Sequence, residues 1–428
     1  MSDKCILVVG ASGFIGSRIV ALLLARGNDV ICAGRNAASL RRRFPSGTAI
    51  EADLSRDTTH TWAARLAGVE AVVNAAGAFR GDLDSVHHRG PVALFEACAR
   101  ADIHCLVQIS ALGAGVQETR FLRTKASADQ QLVRMTRDTG GRCWCVIRPS
   151  LVIGRGGDST ALFSALAALP RPVRLGPGTW QVQPIHVSDL ARAVADLLEA
   201  EALPAFLDLV GPDAVSTDEL TAYLRNWFGL PARPFLTIPL FVLRLAAAAG
   251  EWLPHSSLTR DSLDMLERGN TADAAPLHAV LGWRPRRLAD ALAAEPAVAG
   301  DLLLARLRPI RSLMRASLAA VWIGSGMASL LLQPSQATAL LSGLGLSGTA
   351  AMVTTWAGAS LDIVLGCAIL FQRFRQQALI GQLVLMGLYS VLATISLPAL
   401  WLDPFGPLLK NTAVLATILA LLALEERR

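Results

Sequence analysis

Tyrosine is nearly missing from this chain: Tyr223 and Tyr389 are two in 428 residues. Lysine is almost as rare, since of 40 basic residues only Lys4, Lys125 and Lys410 are lysine. A chemistry that needs a phenolic proton donor therefore has few places to find one. An internal lysine stands out where arginine is the default cation. The seven cysteines are spread along the chain without the paired spacing of a metal site, which excludes a zinc ribbon or finger. Reduced thiols of this kind fit the cytoplasm. Cys143-Trp144-Cys145 reads as a buried strand with both sulfurs on one side. The net charge of +6 is not gathered into a basic stripe interleaved with aromatics, which argues for membrane contact and against nucleic acid. No secretory leader is expected ahead of the first strand.

What is abundant is apolar. Hydrophobic residues make up 52% of the chain and mean hydropathy is +0.43, and the excess sits in the last quarter. The first 300 or so residues read instead as an ordinary α/β protein. Cys5-Ile-Leu-Val-Val is a short buried strand. It runs into Gly10, Gly13 and Gly16, and a helical pattern starts at Ser17. Strand, glycine turn and helix together place a phosphate at a helix N-terminus. Gly10 allows the tight turn, Gly13 the approach of a pyrophosphate, and Gly16 close packing of helix on strand. A second strand, Asp29–Ala33, ends in Gly34-Arg35. The tip of this strand faces the adenosine ribose, where an arginine suits the 2′-phosphate of NADP and an acid the 2′-hydroxyl of NAD. Arg35 therefore favours NADP(H) over NAD(H); a solvated surface arginine is the other reading. Arg41, Arg42 and Arg43 on the next helix add to the same field.

The Gly10–Gly16 spelling GASGFIG resembles the short-chain dehydrogenase/reductase superfamily, in its extended or atypical branch. The resemblance implies a doubly wound parallel sheet. It implies that Ser12, Phe14 and Ile15 of the loop lie against the dinucleotide, with Asp53 and Leu54 near the adenine and Ala75, Ala76 and Gly77 beneath it. Pro149 and Ser150 would pass the nicotinamide. Ser110 would polarise a substrate carbonyl, a tyrosine would donate the proton, and a lysine four residues later would bind the ribose. The matching segment here is Phe121-Leu-Arg-Thr-Lys125. The lysine is present and the tyrosine is not, so the cofactor site reads as intact and the proton relay as broken. Lys125 as an exposed helix cation is the plainer alternative. His87 and His88 read as surface or packing histidines. Asp189 reads as a helix N-cap, and His186 faces either the pocket or the core.

Residues 1–203 are thus expected to form the nucleotide-binding domain and 204–300 a small substrate-side region that completes it. Within the latter, Pro234–Leu253 is long and apolar but broken by Pro239, Arg244 and Glu251. It reads as an amphipathic helix lining a cleft and touching the bilayer, or as a buried domain helix. Together these residues most resemble the nucleotide-binding accessory subunit of respiratory complex I and its bacterial relatives, which implies tight NADPH binding and a structural role.

The last part, 301–428, carries four apolar runs at about 314–332, 352–371, 379–397 and 408–424, each near the ~20 residues a bilayer needs. Arginines precede the first run, separate the second from the third and end the chain. Both termini and the nucleotide-binding domain are therefore expected on the cytoplasmic side of the inner membrane. This tail resembles the DoxX-like family of four-helix membrane proteins, most of all at Asp403-Pro-Phe-Gly-Pro-Leu-Leu-Lys410-Asn411. Asp362 in the second run needs a partner, a proton or a polar cavity, and Lys410 is a candidate partner. Two functions remain open at this point. One is a membrane-tethered NADP(H)-dependent reductase of a lipid-soluble quinone or carbonyl. The other is a non-catalytic NADP(H)-binding module of a membrane redox complex.

Overall fold

The computed structural model describes all residues except 1–3, 80, 117–118, 139–141, 253–257, 333–340, 342–344, 397, 405 and 426–428. Two compact units result: residues 1–248 with 257–302, and residues 249–256 with 303–428.

The first unit is built on seven parallel strands: β1 Cys5–Val9, β2 Asp29–Gly34, β3 Thr48–Glu51, β4 Ala71–Asn74, β5 Cys105–Ile109, β6 Cys143–Pro149 and β7 Phe206–Leu209. Their order across the sheet is 7-6-5-4-1-2-3. The order reverses between β1 and β4, and such a switch point opens a crevice at the strand ends. These strands are runs of β-branched and small apolar residues because helices cover both faces. Ile6, Val8, Cys105, Val107, Cys143 and Cys145 pack on one face. Leu7, Val9, Leu106, Trp144 and Val146 pack on the other. The two cysteines of Cys143-Trp144-Cys145 do share a side, as strand alternation requires.

Helices α1 Phe14–Ala25, α2 Ala37–Arg43, α3 Thr59–Arg65, α4 Gly90–Arg100 and α5 Arg120–Asp138 connect the strands. Beyond β6 comes a helix Val187–Leu197, and here the expected cap is corrected. His186 is the N-cap, its ring accepting from the Ser188 N–H. Asp189 lies in the first turn, where its carboxylate takes the backbone N–H of Arg286 at 2.9 Å and its guanidinium at 2.6 Å. A buried histidine can cap as an aspartate does because its unprotonated ring nitrogen is also an acceptor. The Leu240–Trp252 helix buries Leu243 in a third cluster while Phe241 and Leu245 stay exposed, so one face packs into the domain and an apolar face is left open.

The second unit is helical. Among the described residues, three helices are long and apolar enough to cross a bilayer: Ala299–Leu331, Gly348–Ala368 and Arg375–Ile395. The fourth expected run forms a shorter apolar helix, Pro407–Leu424. The first begins well before the apolar run, so Arg306, Arg308, Arg311 and Arg315 lie on the helix itself. Arg427 and Arg428 and most of the loop after this helix lie outside the described residues. Small residues bring the helices together: a Cβ on Gly366 would sit 2.8 Å from Ile323 Cγ1. At one end Glu425 pairs with Arg315 and, at 3.2 Å, with Arg375.

Asp362 is buried on the Gly348–Ala368 helix and accepts a hydrogen bond from Tyr389 Oη at 3.2 Å. Lys410 is exposed, so the partner expected for Asp362 is replaced by the hydroxyl of the neighbouring helix. A neutral donor is enough where a carboxyl is kept from water. Tyr389→Phe should lower the thermal midpoint of the detergent-solubilised chain by the equivalent of about 1–3 kcal/mol, the cost of an unsatisfied buried acceptor. Lys410→Met should leave it unchanged, and the opposite ranking in thermal unfolding would restore the lysine as partner.

Candidate functional site

The site begins where β1 turns into α1. Gly10 has φ +78°, a conformation that favours glycine, and a Cβ there would meet the Ala76 backbone at 2.8 Å. The loops after β1 and β4 therefore touch across the switch point. A Cβ on Gly16 would lie 2.3 Å from the Gly10 carbonyl, which is why helix and loop can pack this closely. Helix α1 starts after Gly13 with no side-chain cap, so its first-turn N–H groups are available to an anion. Ser12 and Gly13 are exposed; Phe14 and Ile15 are half-buried. The Phe14 ring packs where a Cβ on Gly157 would fall, 2.8 Å away.

Arg35 is exposed just beyond the end of β2, and its charge reaches Asp53. Asp53 Oδ1 accepts from the Ser55 hydroxyl at 2.6 Å and the Ser55 N–H at 3.0 Å. Those bonds, with Arg56 and Arg35 nearby, hold its carboxyl below the usual range. Leu54 is buried in the core under α4. Of the three arginines of α2, Arg43 reaches the glycine loop and donates to the Ser12 carbonyl at 3.1 Å.

Opposite the glycine loop, β4 ends in Asn74, whose amide donates to Gln108 Oε1 at 2.7 Å while its own oxygen accepts from the Ala76 N–H. This fixes the turn Ala75-Ala76-Gly77. Lys125, from α5, reaches under it. Its ammonium is buried and donates to the carbonyls of Ala76 at 3.3 Å and Ile109 at 3.1 Å. Gly77 leaves room there: a Cβ would stand 3.5 Å from Nζ. Burial pulls the Lys125 pKa down to about 8, with Asp129 opposing the shift.

Phe121, one turn earlier on α5, is buried and stacks on the exposed Phe79 ring with centroids 4.7 Å apart. His87 meets its edge at 5.1 Å. His87 is fully buried, on the π-helical turn Ser85–Arg89, so of the surface and packing readings the packing one holds for it. Its Nε2 accepts from the Ala78 N–H and Nδ1 faces the Thr124 hydroxyl, each at 3.0 Å. Burial, and the Lys125 charge beside it, depress its pKa to about 3, so the ring is neutral. His88 pairs with Asp84 on the outside.

Ser110 follows β5. Its hydroxyl donates to Asp129 Oδ2 at 2.5 Å. Asp129 is fully buried, one turn beyond Lys125 on α5, and its Oδ1 has no partner among the described residues. Arg148 of β6 stands 3.9 Å from it, spread over the Phe206 ring at 4.0 Å. Burial lifts the Asp129 carboxyl to about 6 against the pull of Ser110, Lys125 and Arg148. Sequence reading missed Asp129, and it met Arg148 only as the start of the Arg-Pro-Ser turn, not as a neighbour of that acid. The signal was available: an acid four residues after an internal lysine shares its helix face. Pro149 ends β6 with its carbonyl taken by the Leu112 N–H, and the buried Ser150 hydroxyl is tied to the Gln183 carbonyl.

The sequence and fold also match known proteins. The model described as the NAD dependent epimerase/dehydratase family matches residues 6–206, and the DoxX-like family matches residues 319–419. The mitochondrial NADH dehydrogenase (ubiquinone) 1 alpha subcomplex subunit 9 of Arabidopsis thaliana is 26% identical over 249 residues, 53% of this chain, and the chain spans only 60% of that relative's length. Protein FMP52, mitochondrial, of Chaetomium globosum is 33% identical over 187 residues, covering 40% of this chain and 77% of that protein. The UDP-glucuronic acid 4-epimerase of Bacillus cereus, solved with UDP-glucuronic acid and NAD, shares the fold at 18% identity and a TM-score of 0.52, covering 68% of this chain and 98% of the other.

The raised Asp129 carboxyl carries a pH dependence. Its folded value of about 6 exceeds the ordinary 3.8, so folding binds a proton between the two, and stability falls as pH rises through that window. At pH 8 the ionised group costs on the order of 3 kcal/mol. Asp129→Asn keeps the hydrogen bond to Ser110 and has nothing to ionise. Its thermal midpoint, compared with the parent by fluorescence, should gain on the parent between pH 5 and pH 8. An equal difference at both pH values would show that Asp129 does not titrate there.

Proposed function

Because the chain belongs to the NAD-dependent epimerase/dehydratase family and ends in a DoxX-like domain, we propose that it is a membrane-anchored NAD(P)(H)-dependent reductase. Its preferred cofactor is NADP(H), and its substrate is a lipid-soluble quinone or other carbonyl. The observation that carries this reading is the buried Lys125 ammonium under the Ala76–Gly77 turn, facing a glycine loop whose helix has no cap of its own.

The residues present fit a dinucleotide. Gly10, Ser12, Gly13, Phe14, Ile15 and Gly16 would hold the pyrophosphate by backbone N–H groups. Arg35, helped by Arg43, would take the 2′-phosphate, with Asp53 and Leu54 beside the adenine and Ala75, Ala76 and Gly77 below it. Lys125 has a third N–H for ribose hydroxyls, and Pro149 and Ser150 border the nicotinamide end. Bound reduced nicotinamide supplies a hydride. Ser110 would face the oxygen that gains charge. Residues 1–203 and 204–300 form the catalytic part. On this reading the DoxX-like tail anchors it in the inner membrane, with the catalytic part on the cytoplasmic side, where tethering would raise the effective concentration of a lipid-soluble substrate.

A second reading has its own support: Phe121 occupies the tyrosine position, and one relative is a subunit of NADH dehydrogenase. Here the domain binds NADP(H) without turnover and serves a membrane redox complex.

Purified in detergent, the chain should retain NADPH and oxidise it with a panel of quinones and carbonyls. Retention without oxidation selects the second reading. Arg35→Asp should weaken NADPH binding at least tenfold more than NADH binding in fluorescence titrations; equal losses would remove the cofactor preference. Phe121→Tyr should raise turnover by about 10²-fold, the lower range for a positioned acid. No gain in steady-state rate would mean the site is not organised for reduction.

A further inference from the structure

We propose that Asp129 is the proton reservoir of this site, handing its proton to Ser110 and through Ser110 to the oxygen under reduction, in the place of the absent tyrosine. The inference rests on the reductase reading above and gives that site its acid.

The other candidates are already committed. Phe121 has no proton to give. His87 is neutral, with Nε2 accepting from the Ala78 N–H and Nδ1 against Thr124. Lys125 spends two of its three N–H bonds on the carbonyls of Ala76 and Ile109. Ser110 alone is a weak acid, but its Oγ lies 2.5 Å from Asp129 Oδ2. That distance belongs to a strong O–H···O contact. In the ionised state the carboxylate captures the serine hydrogen, and Ser110 can only accept. In the protonated state Asp129 donates to Ser110 Oγ, and the serine hydrogen is free for a substrate oxygen.

The surroundings make the protonated state accessible near neutrality. Asp129 is fully buried and no other residue bonds Oδ1 among those described. The groups that face it are Lys125 on its own helix, Ser110 after β5 and Arg148 on β6, the last at 3.9 Å. Arg148 is shared with Asp208 of β7, and Lys125 with the environment of His87. These cations do not cancel the desolvation, which lifts the carboxyl to about 6. They do stabilise the carboxylate that remains after transfer.

The step balances. Bound reduced nicotinamide would supply the hydride and be oxidised by two electrons. On a carbonyl substrate the hydride would go to the carbonyl carbon and the C=O π pair become an alkoxide that takes the Ser110 hydrogen; on a quinone it would go to one quinone oxygen, and the other, left as a phenolate, would take that hydrogen. The Asp129 O–H bond breaks as the Ser110 O–H bond re-forms. After product leaves, one proton returns from water by the reverse hop through Ser110. Asp129 acts through Ser110 and is a positioning and proton-holding residue.

The full-length chain in detergent, carrying carboxyl-labelled aspartate, tests this by infrared difference spectroscopy. A protonated-carboxyl band should be present at pH 5, absent in Asp129→Asn, lost with a midpoint near pH 6, and shifted in Ser110→Ala. Stopped-flow oxidation of bound NADPH by the quinone and carbonyl panel should slow about tenfold per pH unit above that midpoint. In Asp129→Asn this limb should vanish and the low-pH rate fall at least tenfold. No band at pH 5, or a band indifferent to Ser110→Ala, overturns the relay even if NADPH is oxidised. A band that titrates and senses Ser110, in a protein that oxidises NADPH with none of the panel, overturns the reductase reading, and the relay as a catalytic device falls with it. Oxidation with an unchanged pH limb in Asp129→Asn overturns the relay alone.

Discussion

A buried ammonium needs acceptors, and the arrangement of the first unit around its switch point follows from supplying them to Lys125. The carbonyls of Ala76 and Ile109 come from the ends of neighbouring strands, so the lysine binds β4 to β5 at the edge of the crevice. Asp129, one turn along α5, moderates the cost of holding that charge out of water. Asp129 in turn draws in Ser110 and Arg148. One desolvated cation thus orders the strand ends, the serine after β5 and the helix face that would meet a substrate. Burial, with the Lys125 charge beside it, keeps His87 neutral, which lets its ring serve as a fixed acceptor under the β4 loop.

Much of this was legible from residue order alone. The glycines mark a turn of left-handed backbone and close approach, and Gly10 and Gly16 are held by contacts that leave no space for a side chain. Six of the seven strands follow from short apolar runs separated by helical spacing; β7, Phe206–Leu209, lies in a stretch whose pattern reads as helical and was not foreseen. The missing tyrosine was also plain, because α5 supplies the right period with Phe121 in its place. What periodicity does not carry is which polar groups from distant segments meet. Asp129 finds Ser110 and Arg148 only when β5 and β6 lie side by side. Asp189 meets Arg286 across 97 positions, and its capping role passes to His186. Asp362 meets Tyr389 rather than Lys410 because helix rotation decides which faces touch, and composition says nothing about rotation.

The two units obey different rules for the same chemistry. In the sheet unit, buried polar side chains bond to backbone at close range, as Lys125 and Ser150 do, or to one another, as Asn74 and Gln108 do. In the helical unit, glycines let helices approach, and the few polar groups, such as Gln382 donating to the Leu365 carbonyl at 3.2 Å, bridge helices. Both solutions satisfy a donor where water is excluded. The apolar excess in the composition belongs to the second unit, where surface side chains such as Val384 and Ile395 remain exposed for lipid to cover.

Cys32, Cys105, Cys143 and Cys145 are all buried in one layer of the sheet. Burial raises the thiols of Cys105 and Cys145 to about 12 and that of Cys32 to about 11. A thiolate is the form that alkylating reagents attack. These four sulfurs are therefore silent while the sheet is closed and become reactive when it opens. The chain carries its own chemical clock for unfolding: the rate at which these four thiols take up a maleimide, beyond the label taken at once by the exposed Cys367, follows openings of the nucleotide-binding unit.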